Sequence, residues 1–166
     1  GVLDSDDLTT GRAMAIQGYA NNLYLSNNKF ERTGLPNDNA GEQIMLENLT
    51  HKYFGEIVSS TETDLVMPDS FTTQVARGDV ITIVSGTGKS QYRSVTRMKG
   101  KTITLDSPWD VLPDETSRVL ITRCFNNIVI HNNTMDGYTN YSEDPGATCG
   151  VQAYGGINNM FITGNH

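Results

Sequence analysis

The sequence predicts an all-β protein: a right-handed parallel β-helix of about three coils that carries an inserted small antiparallel β-barrel. Three observations lead there. An eight-residue pattern bracketed by asparagines occurs three times, a second alternating segment recurs ahead of it, and the first two copies of the pattern stand far too far apart. Composition agrees. With 166 residues, 37% hydrophobic, the chain can bury one sizeable core but not two large ones. Sixteen glycines and many asparagines raise the turn content and argue against a helical bundle.

The asparagine pattern reads Asn21-Asn22-Leu23-Tyr24-Leu25-Ser26-Asn27-Asn28, then Asn126-Asn127-Ile128-Val129-Ile130-His131-Asn132-Asn133, then Asn158-Asn159-Met160-Phe161-Ile162-Thr163-Gly164-Asn165. Its apolar residues fall at alternate positions, the period of a strand that shows one face to a core. Leu23, Ile128 and Met160 therefore form one inward stack, and Leu25, Ile130 and Ile162 another; Phe30 and Met135 make a shorter third. Asparagine suits the corners because it tolerates left-handed backbone angles and its amide can bond the same residue in the next coil.

The segment ahead of each copy aligns too, setting Met14, Ile44 and Val151 at one position and Ile16, Leu46 and Ala153 two residues on. Each repeat thus carries two strands. From Asn127 to Asn159 the repeat is 32 residues, whereas Asn22 to Asn127 spans 105, an excess of 73 that the stretch 50–122 accounts for. The expected domains are coils at 1–49 and 123–166 and an inserted barrel at 50–122. Within the insertion, Asp79-Val80-Ile81-Thr82-Ile83-Val84, Gln91-Tyr92-Arg93-Ser94-Val95, Lys101-Thr102-Ile103-Thr104-Leu105 and Arg118-Val119-Leu120-Ile121 alternate between glycine- and proline-bearing turns. Trp109, beside Pro108, reads as a packing anchor of that barrel rather than a sugar platform.

Several classes are disfavoured. A net charge of -7 with twelve basic residues repels phosphate backbones, so nucleic acid is not an expected partner. No apolar run is long enough to span a membrane, and the first residues lack the order of a signal peptide. Cys124 and Cys149 form neither a metal-type pair nor a disulfide framework. Gly88-Lys89-Ser90 fails as a phosphate loop, because Ile83 stands where the first glycine is needed and a strand follows where a helix should start. The sequons at Asn48, Asn132 and Asn140 are what an asparagine-rich sequence produces by chance.

The Asn-Asn-apolar-x-apolar-x-Asn-Asn coils resemble the pectate-lyase-like superfamily of right-handed β-helices, which includes pectin-acting lyases, polygalacturonase-type hydrolases and several tailspike proteins. Gly86-Thr87-Gly88-Lys89-Ser90-Gln91-Tyr92-Arg93, with Thr104 to Val111 and Pro113 to Ser117, looks like a cassette inserted in many such bacterial proteins. The resemblance implies a secreted or cell-surface bacterial protein whose partner is an acidic or neutral polysaccharide. It does not fix an activity, because that scaffold hosts lyases, hydrolases and non-enzymes alike. Members usually stack more coils under capping elements, so this chain is expected to be part of a larger protein whose remaining coils are a second partner.

On such a scaffold a linear glycan lies across the outer face of a strand ladder, so candidate binding residues are the outward positions of the first ladder. Gln17, Glu47 and Tyr154 form one row, with Gln43 and Gln152 in the neighbouring rows. Asp136, Tyr138, Glu143 and Asp144 are loop candidates for a groove wall. His131 follows inward Ile130 and should face out. Glycoside hydrolysis needs two carboxyl groups across the scissile bond, and Glu42 and Glu47, five apart on one strand, point to opposite faces. No catalytic residue or metal ligand is therefore assigned and no cofactor is expected, with calcium entering only if the parent is a lyase. The expected function is binding or acting on polysaccharide, as part of a lyase or hydrolase module; the alternative is a non-catalytic structural or adhesive β-helix.

Overall fold

The computed structural model describes residues 12–33, 42–48, 51–137 and 149–166. Among them the chain is all-β, without a helix. The strands are β1 Met14–Gln17, β2 Asn21–Ser26, β3 Lys29–Thr33, β4 Glu42–Asn48, β5 His51–Glu56, β6 Ser59–Ser60, β7 Asp64–Val66, β8 Asp79–Ser85, β9 Tyr92–Lys99, β10 Thr102–Leu105, β11 Arg118–His131, β12 Thr134–Gly137 and β13 Cys149–Thr163. The chain divides into two compact units, one made of Gly1–Asn48 and Phe125–His166, the other of Leu49–Cys124. Among the described residues no helix is long and apolar enough to cross a membrane.

The first unit is built from parallel ladders. β4 lies between β1 and β13, with Met14 opposite Ile44 and Ile16 opposite Leu46; on its other side Ile44 faces Val151 and Leu46 faces Ala153. In a second ladder β11 pairs with β2, Ile128 opposite Leu23 and Ile130 opposite Leu25, and β13 is its neighbour on the other side. Asn126 bonds Asn158, Asn127 bonds Asn159 and Asn133 bonds Asn165, all 32 residues apart. A constant difference is what a parallel register produces. A third, short ladder pairs β12 with β3, Met135 opposite Phe30.

Both kinds of residue in the repeat have a structural use. Ile44, Leu46, Phe125, Ile128 and Ile130 are fully buried, while Ile16, Leu23, Leu25, Val151 and Met160 pack against them half-covered. Ile162, expected in the same inward stack, is 52% exposed. A side chain in such a stack is covered from both sides only where a rung lies above and below it, and among the described residues none lies beyond Ile162.

The asparagines turn the chain. Asn22, Asn127 and Asn159 all have φ of 54 to 58°, and Asn27 and Asn132, with φ of 57° and 52°, are followed in the third copy by Gly164 at 65°. That left-handed conformation costs most residues about 1–2 kcal/mol, and asparagine offsets it by local bonding. Gly155, at φ 91°, is required for a further reason: a Cβ there would lie 1.6 Å from the Asn48 carbonyl oxygen.

The second unit is antiparallel. Its strands run in the order β5, β11, β8, β9, β10, β7, β6, with β5 and β6 at the two ends of the pairing. The sequence reading located β8, β9, β10 and β11 but not β5, β6 and β7. β6 and β7 are only two and three residues long, and Gly55 and Lys52 break the apolar alternation in β5. Phe71, Leu65, Met67, Ile81, Ile83, Ile103, Val119 and Ile121 make a buried core that Trp109 joins, only 7% exposed, with the Arg93 guanidinium 5.1 Å from its ring centre. Trp109 is thus a packing residue, as expected. Asp79, 1% exposed, is neutralised by the Lys52 ammonium at 2.5 Å and also accepts from the Ala76 amide at 2.7 Å. Gly86 turns the chain between β8 and β9 at φ 80°, where a Cβ would strike the Thr116 carbonyl.

Candidate functional site

The first ladder brings one predicted row together. Gln17 stands opposite Glu47, and Glu47 opposite Tyr154. The Gln17 amide donates to the Glu47 carboxylate at 2.9 Å, which fixes both side chains on one face. Gln17 and Tyr154 are exposed and Glu47 is half-buried, so the row offers an amide, a carboxylate and an aromatic face on consecutive strands. Gln152, two residues before Tyr154, donates to the Tyr154 hydroxyl. The row is long enough to contact successive units of a linear ligand, since neighbouring strands lie about 4.8 Å apart.

The remainder of that face is less open than alternation predicts. Gln43 is 6% exposed and Met45 3%, although both point outward by period. Gln43 is thus a buried polar residue that does not join the accessible row. Alternation identifies the face of a strand; it does not reveal what lies over that face.

The two acids of β4 are both engaged. Glu42 is 6% exposed and pairs with the Arg12 guanidinium at 2.9 Å, and Glu47 is bound by Gln17. In the third ladder exposed Asp136 stands opposite Glu31, and Lys29 donates to Glu31. That bond to Glu31 holds the Lys29 ammonium pKa above its ordinary value, with lesser help from the Asp136 charge. Tyr138, Glu143 and Asp144 lie outside the described residues. Among the described residues no group of three or more His, Cys, Asp or Glu side chains is arranged to hold a metal ion.

A second accessible row emerges that the sequence reading did not single out. On the outer face of the second ladder Tyr24 stands opposite Val129 and Ser26 opposite His131; the 32-residue register sets Phe161 and Thr163 next to Val129 and His131. Tyr24 is 62% and Phe161 63% exposed. His131 faces out as expected, its Nδ1 3.2 Å from the Thr163 carbonyl oxygen. The signal is present in the repeat itself, since Tyr24, Val129 and Phe161 occupy the position between its two inward residues.

No protein-family model matches the chain, and no curated protein matches it. Among solved structures it is similar to the tailspike protein gp49 from Pseudomonas phage LKA1, at 15% identity and a TM-score of 0.44, over 76% of this chain and 23% of that one. It is similar also to the tailspike gp61 of Pseudomonas phage phi297, at 13% identity and a TM-score of 0.44, over 90% of this chain and 27% of that one. A third is the gp54 tailspike of Acinetobacter baumannii bacteriophage AP22, solved in complex with A. baumannii capsular saccharide, at 11% identity and a TM-score of 0.31, over 90% of this chain and 30% of that one. The chain spans less than a third of the length of each.

Proposed function

We propose that the chain is a polysaccharide-binding segment of a right-handed parallel β-helix, about three coils long, with a small antiparallel β-barrel inserted in its middle coil. The registers of the three parallel ladders support that architecture. Partners 30, 32 and 105 residues apart are what coils of one repeat length and one long interruption produce. The observation that carries the function is the row of Gln17, Glu47 and Tyr154, already braced by the amide-to-carboxylate bond and open to solvent at both ends.

The reading favours binding over cleavage by this segment. Glu42 is consumed in a buried ion pair with Arg12, so it does not supply Glu47 with the second carboxyl group that glycoside hydrolysis requires. Catalysis, if the parent has it, would draw on residues outside the described rows. The parent is proposed to be a secreted or cell-surface bacterial protein whose further coils extend the same face, with calcium as an added ligand only if its chemistry is that of a lyase. The second reading, a stiff structural or adhesive spacer, draws its support from the continuous amide columns of the second ladder.

A glycan array followed by titration calorimetry with pectic, xylan and alginate oligomers separates the two, with unsaturated-uronide absorbance as the readout of lyase action. The expected result is saturable binding that Glu47→Ala and Tyr154→Ala each weaken about tenfold while the circular dichroism spectrum is unchanged. Absence of binding to every oligomer would leave the spacer reading in its place.

A further inference from the structure

The outer face of the second ladder bears an apolar column between two polar rows. Tyr24, Val129 and Phe161 form the column, aromatic on the first and third strands and aliphatic between them. On one side lie the exposed corner amides of Asn22, Asn127 and Asn159, which bond one another at 3.1 and 3.2 Å. On the other side lie Ser26, His131 and Thr163, which share the column's face by the two-residue period.

We propose that this column is a second sugar-binding row, separate from the one at Gln17, Glu47 and Tyr154, and that it takes a neutral glycan lying along the stacking direction. The proposal rests on the carbohydrate-binding reading given above. Three arguments select this ligand. The first is chemical: a pyranose has apolar C–H faces and a rim of hydroxyls, which match an aromatic stripe edged by hydrogen-bonding groups. Within the column Asn127 spends one N–H and one lone pair, Asn22 one lone pair and Asn159 one N–H; an amide has two of each, so every corner keeps at least one donor and one acceptor for hydroxyls.

The second argument is charge. Neither the column nor its flanking rows contain Asp, Glu, Lys or Arg, and the cations near the other ladders are engaged, Arg12 with Glu42 and Lys29 with Glu31. A uronate polymer would meet no countercharge here and would be repelled by a chain of net charge -7. The third is size. Tyr24 and Phe161, at 62% and 63% exposure, offer on the order of 300 Å² together with Val129, far below the roughly 800 Å² per partner of a stable protein interface. Their separation, two strand spacings or about 9.6 Å, suits a narrow ligand that crosses the strands.

The test uses the whole chain on an array of neutral and uronate oligosaccharides, then calorimetry with the best binder. The expected result is preference for a neutral oligomer, with affinity reduced about tenfold by Tyr24→Ala and again by Phe161→Ala, and an unchanged denaturation midpoint because both side chains are exposed. Binding that survives these two substitutions but falls with Glu47→Ala and Tyr154→Ala would overturn the second row and leave the first standing. A parent chain that binds no oligomer would remove the carbohydrate reading and this row with it. Concentration-dependent self-association in sedimentation, abolished by Phe161→Ala, would overturn the proposal in favour of a second copy of the chain as the occupant.

Discussion

The unit Leu49–Cys124 closes its core within itself, whereas among the described residues of the unit Gly1–Asn48 and Phe125–His166 the core is complete only in its middle layer. In the former, Phe71, Leu65, Met67, Ile81, Ile83, Ile103 and Ile121 are almost wholly buried. In the latter, Ile130 is fully buried while its stack mates Leu25 and Ile162 are half-buried and 52% exposed. The difference follows from the pairing. Antiparallel strands of the first kind can surround a centre, but parallel rungs cover one another only in sequence, each depending on its neighbours.

The largest expected effect tests that contrast in the cores. Phe71→Ala should lower stability by about 3–5 kcal/mol in urea denaturation, while Ile162→Ala should change it by less than about 1 kcal/mol. Equal losses would mean that the outer rung is as well packed as the antiparallel core. A middle-sized effect separates buried from exposed amides within the stacked unit. Asn133, fully buried, donates to Asn165 and accepts from Asn28, both at 2.9 Å, and Asn133→Ala should cost about 1–3 kcal/mol by stranding those groups. Asn127→Ala should cost about 1–2 kcal/mol, mainly through its positive φ, and Asn127→Gly should recover most of that. If glycine is no better than alanine, the amide column matters more than the turn.

The smallest expected effect concerns the two thiols, one in each unit. Burial pushes the pKa of Cys124 above its ordinary value, and does the same to half-buried Cys149 with help from the Glu42 charge. Both folded thiols therefore hold their protons more tightly than unfolded ones, so alkaline pH favours the unfolded chain, and thiolate reagents react slowly with the native protein. Labelling near pH 8 should modify Cys149 several-fold faster than Cys124, 3% exposed, and the two should converge in urea. Faster labelling of Cys124 would show that the antiparallel unit opens more readily than the stacked one.

Repetition made part of this legible in the sequence. The rows of Met14, Ile44 and Val151 and of Leu23 and Ile128 could be aligned because the same spacing recurred, and the recurring asparagines located the left-handed turns at Asn22, Asn127 and Asn159. What occurs once left no such trace. β6 and β7 are too short to show a period, and the Lys52 to Asp79 pair joins residues 27 apart with no local pattern. For the candidate site, period two located Gln17, Glu47 and Tyr154 but said nothing about the burial of Gln43 and Met45, since coverage depends on distant chain. Tyr24 and Phe161 were visible as outward positions, yet only their exposure marks them as available to a ligand.

The amide columns run in opposite senses. Asn158 donates to Asn126 and Asn126 to Asn21, whereas Asn28 donates to Asn133 and Asn133 to Asn165. Every interior asparagine both gives and receives, so duplicating or excising a whole module leaves each column balanced. Losing a single residue between Asn127 and Asn132 would instead throw one column out of line with the other. The span between the two corner amides is therefore fixed in length, while the rest of each repeat is free to vary, as partner spacings of 30, 32 and 105 residues show.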